Sequence, residues 1–200
     1  MATVEVVDMD DGVQLPPGLS LLTDFITEEE ERILVDNIDK SEWKTEIARR
    51  TQQYGYHYCY RLRGVDELDD QGQPMTPPIP QYLQFLVDRL AATPQIPVGM
   101  DQIIINEYEP GQQIKPHIDS TKDWDACVVS LSCLSDWRMV FIPEDDDKSK
   151  EVSMVLPKRS LLVLKGDARY KWKHGIRSQV KVGRRVSLTF RHYIGSGGNS

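Results

Sequence analysis

Arg185-Val186-Ser187-Leu188-Thr189-Phe190-Arg191 alternates without a break between apolar and polar side chains. Successive side chains of a β-strand point to opposite faces. Val186, Leu188 and Phe190 therefore share one face, and Arg185, Ser187, Thr189 and Arg191 the other. The first face reads as core. The second holds two arginines and no large apolar group. Further short runs rich in β-branched residues, bounded by turn residues, occur at 102–108, 126–133, 137–142, 152–156, 160–165 and 170–174. Many short strands at regular spacing predict a sandwich or barrel. Upstream, Thr27-x-x-Glu30 is a capping box opening a helix, with Ile33, Leu34 and Ile38 as its apolar stripe. A second helix starts near Pro80, with Leu83, Leu86, Val87 and Leu90 at i, i+3, i+4 and i+7. Between the helices lies an extended aromatic region that ends in a loop at Gln71–Pro78. The expected fold is mostly β with flanking helices, a double-stranded β-helix (jelly roll). Residues 15–194 read as one domain, 1–14 as a flexible acidic leader and 195–200 as a flexible tail.

Composition narrows the class. With 200 residues and 40% hydrophobic content, the chain can bury a substantial core and is not of a disordered type. No apolar run approaches the ~20 residues of a membrane span, so no membrane partner is expected, and no signal-peptide pattern is seen at the N-terminus. Cys59, Cys127 and Cys133 are odd in number and have no zinc or redox spacing. A reducing compartment, cytoplasm or nucleus, fits them, and nothing points beyond a monomer. The net charge of −7 by itself argues against a polyanionic partner, but its distribution is uneven. Residues 148–200 hold 13 Lys and Arg against Glu151 and Asp167 alone, a net of +11, which leaves −18 on residues 1–147. Local potential at a cleft matters more for steering than the sum. The competing reading is that these cations are solvated strand edges.

The chemistry-bearing residues cluster around one motif. His117-Ile118-Asp119 on an extended segment aims an imidazole and a carboxylate the same way, and His174 follows 57 residues after His117. Two histidines and one carboxylate on one face of an octahedral ion, with the opposite positions open, form the facial triad of non-haem Fe(II) oxygenases. Alone, H-x-D reads more readily as a solvated loop pair. His57 and His192 are the other candidates for a third ligand, but His192 points away from the arginine face and His57 sits among tyrosines. Arg185 and Arg191 stand ~20 Å apart along their strand. Two long guanidinium arms leaning inward suit the two ends of a short dicarboxylate.

These residues, with Asn106-x-Tyr108-x-Pro110-Gly111 upstream, resemble the AlkB family of Fe(II)/2-oxoglutarate dioxygenases. The order and spacing of Asn106, Tyr108, His117, Asp119, His174, Arg185 and Arg191 agree with that family over about residues 15–193. Gly55-Tyr56-His57-Tyr58 falls where the family builds its substrate lid. Leu15-Pro16-Pro17-Gly18-Leu19, the 104–112 segment and Pro157-x-Arg159-Ser160-Leu161-Leu162-Val163 look most like the branch acting on transfer-RNA wobble uridines. The resemblance implies that His117, Asp119 and His174 hold Fe(II). It implies that 2-oxoglutarate is bound by Asn106, Tyr108, Arg185, Ser187 and Arg191, with Arg185 on its distal carboxylate and Arg191 near the chelating end. O2 is the cosubstrate, and succinate and CO2 leave as a substrate C–H bond is oxidised. An N-methyl carbon would then be lost as formaldehyde; another carbon would stay hydroxylated.

The substrate is less well marked. Tyr54, Tyr56, Tyr58 and Tyr60 alternate, so four rings are expected on one face of a strand, flanked by Arg49, Arg50 and other cations. That combination suits stacking on bases and equally suits a hairpin packed on the barrel. The expected substrate-binding residues are Arg49, Arg50, Tyr56, Tyr58 and Thr121. Ser120 and Thr121 follow the H-x-D where the bacterial repair enzyme has an acidic base-reading residue, which argues against repair of methylated adenine or cytosine. The expected partner is nucleic acid, RNA rather than DNA. A repair demethylase of alkylated DNA and an oxygenase of proteins in the same fold are the competing readings.

Overall fold

The alternation in the β-rich runs sorts the molecule into layers. The structure, a computed structural model, describes residues 4–5, 15–66, 68 and 76–195. In chain order the strands and helices are β1 (Val4–Glu5), β2 (Leu19–Leu22), α1 (Glu28–Lys40), β3 (Thr51–Tyr54), β4 (His57–Cys59), β5 (Gly64–Asp66), α2 (Gln81–Ala91), β6 (Gln102–Tyr108), β7 (Ile114–His117), β8 (Val128–Cys133), β9 (Trp137–Pro143), β10 (Val152–Leu156), β11 (Leu161–Leu164), α3 (Gly166–Tyr170), β12 (Trp172–Ile176) and β13 (Arg185–Arg191). A seven-stranded sheet runs β1-β2-β11-β8-β13-β6-β3, and a four-stranded sheet runs β10-β9-β12-β7. Every pairing is antiparallel. This is the jelly-roll sandwich expected from the strand spacing.

Residues one position apart go to different cores. Ile103, Ile105, Val129, Leu131, Leu161, Val163, Val186, Leu188 and Phe190 pack outward against Leu34, Ile38, Leu83, Leu86 and Leu90 of the two helices. Val128, Leu162, Leu164 and Tyr108 face inward and meet Trp137, Met139, Phe141 and Ile176 of the smaller sheet. The larger sheet is thus buried on both faces, and its inner face is free to carry polar groups only around the cleft.

The capping box at Thr27 forms, with Thr27 and Glu30 bonded reciprocally, and Arg89 of α2 grips Glu30. Of the expected stripe, Leu34 and Ile38 are buried, whereas Ile33 lies half exposed. At ~100° per residue it points nearly opposite to the face shared by Glu31, Leu34, Val35 and Ile38, toward solvent. Thr27→Ala should lower stability by ~1 kcal/mol, a fall in Tm of about 2–4 °C at this chain length, read by thermal melting. Arg89 holds the Glu30 carboxyl down to about 2 from an ordinary 4.5. The contribution of this pair is therefore present above about pH 4.5 and is lost as the pH falls through about 2.

Several elements differ from expectation. Val4 and Glu5, assigned to the leader, pair with Leu22 and Leu21; the rest of the leader, residues 71–75 of the Gln71–Pro78 loop and the tail after 195 lie outside the described residues. Leu19–Leu22 adds a strand, and Ile114–His117 is a strand despite Pro116. β7 is an edge strand, where a missing N–H is tolerated. Among the described residues, no helix is long and apolar enough to cross a membrane.

Candidate active site

His117 and His174 meet because β7 and β12 pair directly at those two residues. Gly175 makes the approach possible: a Cβ there would lie 2.7 Å from Pro116 N and 2.9 Å from Ile114 O. The register shifts just beyond, between His174 and Ile176. Asp119 lies two residues past the end of β7. Ligand atoms of His117, Asp119 and His174 all fall within 4.8 Å of one another.

The local bonding suits a cation at the centre of this group. His117 Nδ1 donates to the Lys115 carbonyl, 3.0 Å away. A carbonyl only accepts, so Nδ1 carries the proton of this bond and Nε2 is the ring nitrogen turned to the metal position. Asp119 Oδ1 accepts from Arg191 at 2.6 Å. Its Oδ2 is buried without a hydrogen bond, 3.5 Å from His174 Nε2. A buried acceptor left unsatisfied costs ~1–3 kcal/mol or more if charged, and a bound metal removes that cost. Burial pushes the Asp119 carboxyl up, but Arg191 and the two histidines outweigh it and hold it below the usual range. Burial and then His117 push His174 down to about 3, so the imidazole is neutral at pH 7, as a ligand must be. The donor set fits Fe(II).

The triad opens into a cleft of 690 Å³ on the inner face of the larger sheet. Asn106, Tyr108, Arg185, Ser187 and Arg191 all line it, which is where strand alternation had to put them. Arg185 is 1% exposed. Its guanidinium donates to Ser132 Oγ at 2.8 Å and Ser187 Oγ at 3.1 Å. Among the described residues it has no carboxylate partner. Arg191 is committed to Asp119 and to Gln102 Oε1, so it neutralises the triad carboxylate instead of reaching for a free one. Arg49 Nε donates to Asn106 Oδ1 at 2.7 Å. Because the guanidinium only donates, the contacted atom is the amide oxygen, and the Asn106 NH2 is left to donate. The guanidiniums of Arg49 and Arg185 both lie within 6 Å of the Tyr108 ring.

Of the expected substrate-binding residues, the structure brings Arg49 and Tyr58 to the cleft and leaves the others away from it. The four tyrosines do not share a strand face. Gly55, at φ +79, turns the chain; a Cβ would lie 1.9 Å from the Asp101 carbonyl oxygen. Tyr54 goes to the helix layer, bonding Gln52. Tyr56 packs on Tyr193 with ring centroids 4.3 Å apart and does not line the cleft. Tyr58 and Tyr60 do line it, edge to face at 5.5 Å. Arg50 points outward to Glu107 at 2.5 Å, because neighbours on extended chain face opposite ways. Thr121 is exposed in the turn after Asp119. Reading the sequence alone missed Lys115 and Ser132, and it noted Tyr60 and Arg63 in the aromatic, basic stretch without placing them among the expected substrate-binding residues. Ser130 and Ser132 had a signal: they are the small polar half of Val128–Cys133, facing the same side as Arg185.

The basic C-terminal segment does not form one free patch. Arg184 pairs with Asp39 and Glu107, Lys173 with Asp146, Arg177 with Glu151, and Arg159 with Asp24 and Glu31. Sequence asymmetry largely cancels in space. The cleft is positive for another reason: Arg49, Arg63 and Lys115, from outside the basic segment, join Arg185 and Arg191 there against Asp119.

Comparison with known proteins agrees with this geometry. A sequence profile of the 2OG-Fe(II) oxygenase superfamily matches residues 18–191. The "Alkylated DNA repair protein ALKBH8 homolog" of Arabidopsis thaliana is 34% identical, with 88% of this chain and 58% of that protein covered. The "tRNA (carboxymethyluridine(34)-5-O)-methyltransferase alkbh8" of Xenopus tropicalis is 33% identical, covering 81% and 25%. The chain thus spans less than two thirds of the length of either. The solved structure of OsALKBH1 superposes with a TM-score of 0.68 at 19% identity, over 90% of this chain and all of that one, a likeness of fold. The chain belongs to the 2OG-Fe(II) oxygenase superfamily, among its AlkB-related members.

Proposed function

We propose that this oxidoreductase oxidises a modified base in RNA, with His117, Asp119 and His174 holding the metal and Arg185 holding the cosubstrate. Its cofactors are Fe(II), 2-oxoglutarate and O2. Bound in the cleft, they supply the oxidation of a substrate C–H bond as 2-oxoglutarate is converted to succinate and CO2. The chain's own groups bind and orient. Arg185 takes the far carboxylate of 2-oxoglutarate, held on line by Ser132 and Ser187. The Asn106 amide donates to the cosubstrate beside Tyr108. Arg191 fixes the Asp119 carboxylate. Tyr58 and Tyr60 form the wall against which a base stacks, and their burial keeps bulk water from the reacting carbon.

The observation that carries the nucleic-acid reading is the cleft itself. Five cations face one acid beside two aromatic rings, in a chain whose net charge is −7. Stacking on aromatic side chains in a positive groove is how single strands are held. The named relatives, one a transfer-RNA enzyme and one an alkylated-DNA repair protein, support nucleic acid as the class. A base must leave a stack or come from a single strand to reach the metal, which favours RNA loops over duplex DNA. The same reading has the enzyme act as a monomer in cytoplasm or nucleus; its three free cysteines support a reducing compartment. The test is RNA affinity at two salt concentrations, with succinate release measured against modified single-stranded RNA, duplex DNA and a peptide. Binding should weaken steeply with salt, and Tyr58→Ala should weaken it by ~1–3 kcal/mol. Salt-independent binding, or succinate release with the peptide alone, would replace this reading with a protein oxygenase.

A further inference from the structure

His117 and His174 are fixed by strand pairing, but Asp119 is not. The pairing of β7 with β12 runs from Ile114 to His117, and Asp119 lies beyond it on the loop that leads to Trp124. Something else must place its backbone. Arg169, in the short helix α3, is the group that touches it. The residue is 2% exposed. Its Nη1 donates to the Asp119 carbonyl at 2.9 Å, its Nη2 to Ser120 O at 3.0 Å and Trp124 O at 3.2 Å, and its Nε to Asp125 O at 3.3 Å. Among the described residues no carboxylate lies within ion-pair distance of this guanidinium.

An unpaired buried cation costs stability, and an apolar residue of similar volume is usually the more stable choice. Four carbonyls converging on one guanidinium therefore call for a role in shape. Arginine alone has a planar fork with five donors, and here it ties both ends of the 119–125 loop to a single point. Five residues further along the chain is His174, in the strand that follows α3. One side chain thus links the segment bearing the carboxylate to the strand bearing the second imidazole. Arg191 acts from the other side, on the carboxylate itself.

We propose that Arg169 is a positioning residue for the metal site: it holds the Asp119 backbone in register with His117 and His174 and so sets metal affinity. The inference rests on the triad reading of the proposed function. Loss of a group that orients a ligand typically weakens metal binding 10–100-fold.

Titration of the purified apoprotein with Mn(II), followed by calorimetry, tests it in the wild type, Arg169→Lys and Arg169→Met. Arg169→Lys keeps the charge and much of the volume but cannot reach four carbonyls. Both variants should melt cooperatively and bind Mn(II) 10–100-fold more weakly than wild type. A folded variant with wild-type affinity, even with a lowered Tm, would overturn the proposal. So would failure of both variants to fold, which would make Arg169 a folding residue. Absence of Mn(II) binding in the wild type would sink the triad reading instead; wild-type binding that His174→Ala removes but neither Arg169 variant changes would sink only this proposal.

Discussion

His117→Ala and His174→Ala, made separately, should each abolish 2-oxoglutarate turnover while the protein stays folded. Both side chains line the cleft and belong to neither apolar cluster. Their removal opens space at a polar surface, so little packing is lost. Three protein groups must share the ion, and with one imidazole gone the remaining pair cannot hold an octahedral metal on a single face. Asp119→Ala should behave differently. Arg191 donates to Asp119 at 2.6 Å with both side chains nearly buried. Removing the carboxylate strands a buried guanidinium, which costs ~3–5 kcal/mol. That variant should lose both activity and a large part of its stability. Succinate release at saturating Fe(II), set beside thermal melting, separates the two outcomes. Full turnover by either histidine variant would remove the triad from the mechanism. An Asp119→Ala protein as stable as wild type would show that the Arg191 guanidinium is satisfied without a carboxylate, by Gln102 among others.

The strands that build the site were legible because strand alternation is a strict rule. Arg185, Ser187, Thr189 and Arg191 had to share a face once Val186, Leu188 and Phe190 faced the helices, and the structure puts all four in the cleft. The same rule, applied where the chain is not one strand, misled. Tyr54 to Tyr60 alternate in sequence, yet Gly55 sits at φ +79 and folds the run into β3 and β4. A glycine between two tyrosines is a turn signal that the alternation hid. Charge was the least legible property. Thirteen cations cluster late in the chain, but some of their acids lie far away in sequence and near in space, as Arg184 with Asp39 shows. Ion pairs across 145 residues are set by topology, and no local pattern encodes them. Arg169 escaped notice for a similar reason: its partners are backbone carbonyls, which every residue has.

Arg185→Met should remove the response to 2-oxoglutarate and, unlike most core substitutions, should not lower the stability of the unliganded protein. The guanidinium is 1% exposed and bonds only neutral hydroxyls, Ser132 and Ser187, among the described residues. Burial disfavours its charge, yet arginine keeps its proton in proteins. A buried charge without a counterion is costly, and its replacement by an apolar residue of similar volume is often neutral or stabilising by ~1–4 kcal/mol. The unliganded fold therefore carries a cost that a carboxylate from outside can relieve. Loss of the guanidinium leaves that carboxylate buried and unpaired, a penalty of ~2–5 kcal/mol. The half-saturating concentration of 2-oxoglutarate should rise at least ~30-fold, since each 1.4 kcal/mol is about tenfold. Thermal shift gives an independent reading. At 100 times Kd a ligand stabilises by ~2.7 kcal/mol, so wild type should melt higher with 2-oxoglutarate and Mn(II) than with Mn(II) alone. Arg185→Met should melt at or above the wild-type temperature without cosubstrate and gain nothing from its addition at the same concentration. An unchanged half-saturating concentration would reject Arg185 as the carboxylate clamp and leave Arg49 and Arg63, the other cleft guanidiniums without an acidic partner among the described residues, to be tested in its place.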